Sequence, residues 1–96
     1  MKFYMLHPKR IDEMVKKEHA IVIDVRERAS YQNFHYPGAY NYPYEEIDRW
    51  AGRLPKNRKL ILYCEYGSTS LLAARRLSGE GYTVYTVNGG IQGIRS

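Results

Sequence analysis

The stretch that decides the fold is KLILYCEYGSTSLLAARRL, residues 59–77. It begins with a compact apolar run, residues 60–63, which predicts a buried β-strand. Residues 71–77 combine good helix formers with helical spacing of the apolar side chains. Cys64, the only cysteine of the chain, therefore follows a strand and precedes a helix. Backbone N–H groups at a helix start are unpaired and partly positive, so a thiolate or a bound anion would be stabilised there.

The residues between Cys64 and this helix suit a tight turn. Gly67 permits backbone angles that other residues avoid. The hydroxyl groups of Ser68, Thr69 and Ser70 predict side-chain caps for the first turn of the helix. We therefore expect a reactive cysteine in a loop that cradles an anion.

Length and composition exclude several classes of protein. The 96 residues fit one domain, 1–96, with one modest core. No apolar run is long enough to span a bilayer, and the first residues lack the pattern of a secretory signal, so we expect a cytoplasmic protein without a membrane partner. One cysteine cannot form an internal disulfide or a multi-cysteine zinc site, and the three histidines are scattered, so no metal site is expected.

The net charge of +5 and the ten tyrosines raise the question of nucleic-acid binding. The basic residues are spread along the chain with acidic residues between them, and no nucleic-acid motif accompanies the tyrosines. Packing in the core, strands and turns is the preferred interpretation of the tyrosines. No nucleic-acid partner is expected.

Strand and helix patterns alternate along the chain. The runs 20–23 and 83–87 are typical of strands, whereas residues 11–19 and 45–54 have helical spacing. This alternation predicts βαβ units and a parallel sheet, an α/β fold.

Asp24 and Arg26 follow the strand pattern at 20–23. Ligands of open α/β sheets bind at the carboxyl ends of strands, so both residues are site candidates. The alternative is that Asp24 caps the following turn and pairs with Arg26, and this structural role is preferred for Asp24.

Four short motifs resemble the rhodanese-like (sulfurtransferase) family. Each is weak alone, but their order and spacing match across nearly the whole chain. They are Asp24-Val25-Arg26-Glu27, HYPGAYNYP at 35–43, Cys64 with Gly67, and VNGGI at 87–91. The resemblance implies a doubly wound, mainly parallel sheet with helices on both faces, a catalytic loop after a central strand, and no metal or organic cofactor.

The resemblance also implies a sulfurtransferase or persulfide carrier. The thiolate of Cys64 would take sulfane sulfur from a donor, a small anion such as thiosulfate or a persulfide. It would pass that sulfur to an acceptor such as cyanide or a thiol, including a protein thiol. The implied loop around this sulfur comprises Glu65, Tyr66, Gly67, Ser68, Thr69 and Ser70. Asp24, Arg26 and His35 are secondary candidates with mainly structural roles.

Two loop positions depart from the pattern of family members that use thiosulfate. Those members commonly have a basic residue directly after the cysteine and an arginine two residues after the loop glycine. Glu65 and Thr69 occupy these positions. An acid beside a thiolate opposes its ionisation, and the loop has no guanidinium to hold a dianion. A persulfide donor would require less anion binding than thiosulfate does.

Three other functions are alternatives to sulfur transfer. A cysteine phosphatase of this fold needs an arginine six residues after the cysteine, where this chain has Ser70. A cysteine protease or deamidase needs a histidine base near the thiol, and His35 is the one candidate. The resemblance implies a structural turn for the His35 motif, and this role is preferred. A non-catalytic binding or redox-sensing module is the remaining alternative, although the presence of Cys64 favours chemistry. A lone buried cysteine can also be a small apolar filler.

Overall fold

A parallel sheet runs through the middle of the computed structural model, which describes residues 2–96. Within these residues the sheet has five strands in the order β1-β5-β4-β2-β3, and all neighbouring pairs are parallel. The strands are β1 (Tyr4–Leu6), β2 (Ile21–Asp24), β3 (Tyr40–Asn41), β4 (Leu60–Tyr63) and β5 (Val84–Val87). The predicted parallel α/β sheet is confirmed.

Helices connect the strands and cover both faces of the sheet. They are α1 (Ile11–Glu18), α2 (Arg28–Asn33), α3 (Ile47–Trp50), α4 (Ser68–Gly79) and α5 (Gly90–Arg95), with 3₁₀ turns at Pro8–Arg10, Tyr44–Glu46 and Ala51–Arg53. The buried residues of α3 and α4 pack on one face and those of α1 and α5 on the other. This arrangement confirms the doubly wound architecture. Among residues 2–96, no helix combines the length and the apolar character that crossing a membrane requires.

The central strand β4 explains the continuous apolar run in the sequence. Leu60 and Leu62 face the α3 and α4 side of the core, whereas Ile61 and Tyr63 face the α1 and α5 side. All four residues are fully buried, as expected for a parallel strand covered on both faces. Cys64 follows this strand directly, so its position is set by the most deeply buried part of the sheet.

Two local predictions were wrong. The helix expected at 45–54 is broken into a 3₁₀ turn, the single turn α3 and a second 3₁₀ turn. Gly52 weakens a helix at this point, and Leu54 is extended, as residues before proline usually are. The hydroxyl groups after Gly67 do not cap α4. The capping residue is Gly67 itself, with φ 126°, and the hydroxyl residues already belong to the first helical turn.

The start of α5 supports the loop that follows β4. The N–H of Ile91 donates to the carbonyl of Cys64 over 2.8 Å. Gly90 lies so close to the loop that an added Cβ would be 2.5 Å from the Cys64 carbonyl oxygen and 2.7 Å from that of Glu65. Gly90 also has φ +57°, which glycine adopts without steric cost. The close approach of α5 therefore depends on glycine at position 90.

We predict that Gly90→Ala lowers the free energy of unfolding by more than about 2 kcal/mol, because the new Cβ meets two backbone carbonyls. Urea denaturation followed by circular dichroism measures the change. Gly52→Ala is the matched control, since no heavy atom lies within 4 Å of its added Cβ and Gly52 does not have a positive φ. A change within about 0.5 kcal/mol is expected for the control. Equal losses in both variants would contradict the prediction.

Candidate active site

Cys64 lies between β4 and α4 with only 3% of its surface exposed. Its Sγ accepts hydrogen bonds from two backbone N–H groups, that of Gly67 at 3.1 Å and that of Ser70 at 3.2 Å. Ser70 is in the first turn of α4, where N–H groups have no carbonyl four residues earlier to bind. A negative charge on Sγ would therefore be stabilised by backbone dipoles, without any charged side chain.

Gly67 has an unusual conformation at the turn between the cysteine and α4. With φ 126°, Gly67 has a backbone that L side chains rarely adopt. An added Cβ would meet only the nitrogen of Gly89, at 3.9 Å, so the requirement for glycine comes from the backbone angle and not from crowding. The turn aims one N–H at the sulfur and starts α4 with the next residue.

A buried pair of hydroxyl groups, Ser70 and Thr86, lies behind the sulfur. The Ser70 Oγ is 3.5 Å from the Cys64 Sγ, 3.2 Å from the Gly67 carbonyl oxygen and 2.7 Å from the Thr86 Oγ1. Ser70 and Thr86 are both fully buried. The Cys64 thiol donates to the Ser70 Oγ, whose own hydrogen is within reach of the Gly67 carbonyl and the Thr86 hydroxyl. Rotation of that hydrogen toward Sγ would let Ser70 donate to a thiolate. Sequence reasoning missed Thr86, and its only signal was a polar residue on an otherwise apolar strand.

Most N–H donors of the Arg26 guanidinium are bound by other parts of the protein. It forms an ion pair with Asp24, with Nη2 and Oδ2 2.8 Å apart, and a second one with Glu65, with Nη1 and Oε1 3.2 Å apart. Its Nη2 also donates to the carbonyl of Phe34. Burial opposes the charge of Arg26, yet the hydrogen bonds and charge of Asp24 outweigh it and raise the pKa of Arg26 above its ordinary value.

Asp24 is fully buried and holds this arginine in place. Its Oδ1 also accepts from the backbone N–H of Arg26 over 2.8 Å, which is the geometry of a side-chain cap on the turn after β2. The side chain of Arg26 is only 8% exposed. With its donors bound to two carboxylates and a carbonyl, Arg26 has little capacity left for an external anion.

Glu65 ties the cysteine loop to its surroundings. Beyond the Arg26 pair, its carboxylate accepts from the Gln92 side chain, and its carbonyl accepts from the Gln92 N–H over 3.3 Å. The acid next to the thiol is therefore partly neutralised. The sequence did not predict this role of Gln92. Its position shortly after the glycine pair at 89–90 was the only feature that set it apart.

A cavity of about 420 Å³ opens beside Cys64 at the carboxyl ends of β2 and β4. Its lining combines the ends of these strands, the first turn of α4 and the turn that precedes α3: Val25, Arg26, Glu27, Ser30, Pro43, Tyr44, Glu45, Cys64, Glu65 and Thr69. The lining therefore includes three carboxylates, those of Glu27, Glu45 and Glu65. It includes one guanidinium, that of Arg26, which already pairs with Asp24 and Glu65.

The other predicted site residues lie outside this lining. His35 stacks on Tyr31 with the ring centres 3.8 Å apart, and its Nδ1 bonds the Tyr31 carbonyl oxygen over 2.8 Å. Tyr66 is 73% exposed. Gly67 and Ser70 act on the sulfur from behind, and Ser68 is exposed at the helix start. Within residues 2–96, no group of three His, Cys, Asp or Glu side chains is placed to hold a metal ion.

Comparisons with known proteins identify relatives over most of the chain. The family profile described as "Rhodanese-like domain" matches residues 7–96. A protein named tRNA sulfurtransferase from Desulfurococcus amylolyticus is 35% identical over 77 residues, which are 80% of this chain but 15% of that protein. Thiosulfate sulfurtransferase GlpE from Shewanella oneidensis is 29% identical over 89 residues, 92% of this chain and 88% of the relative.

A solved structure agrees with the fold. The crystal structure of a rhodanese-related protein from Thermoplasma volcanium superposes with a TM-score of 0.89 at 26% sequence identity. The match covers 97% of this chain and 91% of that chain. The arrangement of strands and helices is therefore shared over essentially the whole length of both chains.

We predict that Ser70→Ala slows alkylation of Cys64 by iodoacetamide at pH 7 by roughly three- to tenfold, because the thiolate loses a nearby hydroxyl donor. The rate is measured by intact mass, with a thermal melt to verify folding. Ser78→Ala, at the other end of α4, is the control and should react at the wild-type rate. An unchanged rate in a folded Ser70→Ala protein would show that the hydroxyl does not stabilise the thiolate.

Proposed function

The chain belongs to the rhodanese-like domain family, and on that premise we propose that it is a sulfurtransferase in which Cys64 carries the sulfur. The observation that carries the proposal is the pair of N–H groups, from Gly67 and Ser70, aimed at a Sγ that borders an open cavity. A nucleophilic sulfur needs this combination of anion stabilisation and substrate access. We further propose that residues 1–96 act as one domain.

The reaction has two halves. In the first, the Cys64 thiolate attacks the outer sulfur of a donor, a new S–S bond forms, and the old S–S bond breaks. Thiosulfate would release sulfite, and a persulfide would release the parent thiolate. In the second half, an acceptor such as cyanide or a thiol attacks the outer sulfur of the Cys64 persulfide. The Cys64 thiolate leaves, so no external oxidant or reductant is needed.

The loop supports both halves because each places an anionic sulfur near the start of α4. The Gly67 and Ser70 N–H groups bind Sγ directly. The N–H groups of Ser68 and Thr69 are in the same first turn and lack intrahelical acceptors, so they are suited to an additional sulfur. The loop thus acts through its backbone, and Tyr66 and Ser68 contribute their N–H groups more than their side chains.

The relatives support sulfur transfer more than any particular donor or acceptor. The GlpE relative is named for thiosulfate, and the other for tRNA, but this chain spans only 15% of the latter. In this chain Arg26 is engaged by Asp24 and Glu65, and the loop itself offers no cation. We propose a persulfide donor in preference to thiosulfate, and a thiol acceptor, which includes protein thiols.

The test is to incubate the reduced protein with thiosulfate and, separately, with a small persulfide. Intact mass should show one added sulfur that dithiothreitol removes, and Cys64→Ser should show none. An adduct with the persulfide is expected to form faster than one with thiosulfate. If neither donor modifies a fully reduced wild-type protein, sulfur transfer is refuted and the non-catalytic binding or redox-sensing module becomes the better explanation.

We predict that Thr69→Arg raises thiosulfate:cyanide sulfurtransferase activity by about tenfold, because Thr69 lines the cavity and arginine would add the guanidinium that a dianion needs. Thiocyanate formation measures the rate. Asn57→Arg, in the exposed turn before β4, adds the same charge away from the cavity and should leave the rate unchanged. Equal rates for wild type and Thr69→Arg would mean that anion binding in the loop does not limit thiosulfate use.

A further inference from the structure

The charges around the cavity do not match the charge of the whole protein. The chain has a net charge of +5, which would attract anions from a distance. At the cavity, however, three glutamates face a single arginine. Since Asp24 already pairs with that arginine, the immediate surroundings of Cys64 are acidic.

Two of the three glutamates have no cationic partner within residues 2–96. Glu45 is exposed in the 3₁₀ turn before α3, and no ion pair or side-chain hydrogen bond is formed by its carboxylate in the described part of the chain. Glu27 is exposed at the start of α2 and accepts only a 3.4 Å hydrogen bond from Ser30. Glu65, in contrast, is bound by Arg26 and Gln92. Uncompensated negative charge therefore comes mainly from Glu27 and Glu45.

The distance between a bound donor and each charged side chain determines how strongly that charge acts on the donor. In physiological salt, exposed charges more than about 8 Å apart are largely screened from each other. Glu27 and Glu45 line the same cavity as Cys64, Glu27 directly before α2 and Glu45 in the 3₁₀ turn before α3, so a donor that reaches the sulfur through this cavity meets a wall that carries both carboxylates. Arg26 is the one lysine or arginine among the described residues that line this cavity.

Building on the proposed function, we propose that Glu27 and Glu45 make the site selective for small persulfides that carry an ammonium group, and against anionic sulfur donors. The ammonium would pair with these carboxylates while the outer sulfur of the persulfide reaches the Cys64 Sγ, which the Gly67 and Ser70 N–H groups hold. A donor of this kind is neutralised at one end by side chains and at the other by the backbone. Thiosulfate, with two negative charges and no cation, is repelled by the same carboxylates.

The transfer from such a donor is balanced without further reactants. The Cys64 thiolate forms a bond to the outer sulfur of R–S–SH, and the bond between the two donor sulfurs breaks. The electron pair of that bond leaves with the inner sulfur as R–S⁻, and the outer sulfur keeps its hydrogen as Cys64–S–SH. The ammonium group of R stays protonated throughout and takes part only in binding.

The experiment compares three donors with the same two-carbon arm: the persulfides of cysteamine, 2-mercaptoethanol and 3-mercaptopropionic acid. Their far ends are an ammonium, a hydroxyl and a carboxylate. Rapid quenching and intact mass give the rate at which Cys64 gains one sulfur, at low and at high ionic strength. We expect the ammonium donor to be fastest and the carboxylate donor slowest, about tenfold apart in low salt and closer together in high salt.

The double variant Glu27→Gln/Glu45→Gln should reduce this preference to less than about twofold by removing the unpaired charges. Glu46→Gln is the matched control, because Glu46 is the exposed neighbour of Glu45 and lines a different cavity with Trp50 and Arg53. It should retain the wild-type preference. A thermal melt of each variant shows whether it is folded.

The outcomes separate the two proposals. If no donor loads Cys64, sulfur transfer itself is refuted, and the selectivity with it. If all three load at equal rates, or the carboxylate donor is fastest, sulfur transfer stands and the charge selectivity is refuted. A preference that survives in the folded double variant would also overturn the assignment to Glu27 and Glu45.

Discussion

The buried guanidinium of Arg26 is the interaction on which the rest of the site depends. It joins the end of β2 through Asp24, the end of α2 through the Phe34 carbonyl, and the cysteine loop through Glu65. A buried ion pair repays its desolvation only when the geometry is good and most donors are bound, and Arg26 meets both conditions. The contacts that order the site also leave Arg26, the one cationic side chain lining the cavity within residues 2–96, with little capacity to bind an anion.

Because Arg26 is occupied, a sulfur anion at Cys64 would be stabilised mainly by backbone N–H groups. Sγ is bound by two N–H groups, one from the turn residue Gly67 and one from Ser70 in the first turn of α4. The close packing of Gly90 against the loop carbonyls restrains this arrangement from the other side. Backbone N–H groups thus set the electrostatics next to the sulfur, whereas glutamate side chains set those of the cavity wall. In the proposed reaction, backbone dipoles would support the thiolate, and the acidic cavity wall would discriminate between donors.

Much of the architecture was predictable because it follows from local patterns. The apolar run 60–63 indicated a strand buried on both faces, and β4 is that strand. The alternation of patterns predicted a parallel sheet, which is confirmed. The cap of α4 was predicted wrongly because hydroxyl residues at a helix start suit both the cap and the first turn. The positive φ of Gly67 selects the second of these, and the sequence does not specify that angle.

By itself, the sequence determined the class of sheet, the place of Cys64 between a strand and a helix, and the absence of a basic side chain in its loop. These features depend on residues that are neighbours in the chain, so periodicity and composition reveal them. Only the tertiary structure decided how Arg26 is used, which hydroxyl lies behind the sulfur, and which carboxylates surround it. Arg26 and Glu65 are 39 positions apart and meet because β4 lies beside β2. Ser70 and Thr86 meet because β5 lies on the other side of β4. Strand order, which no local pattern specifies, places these partners together.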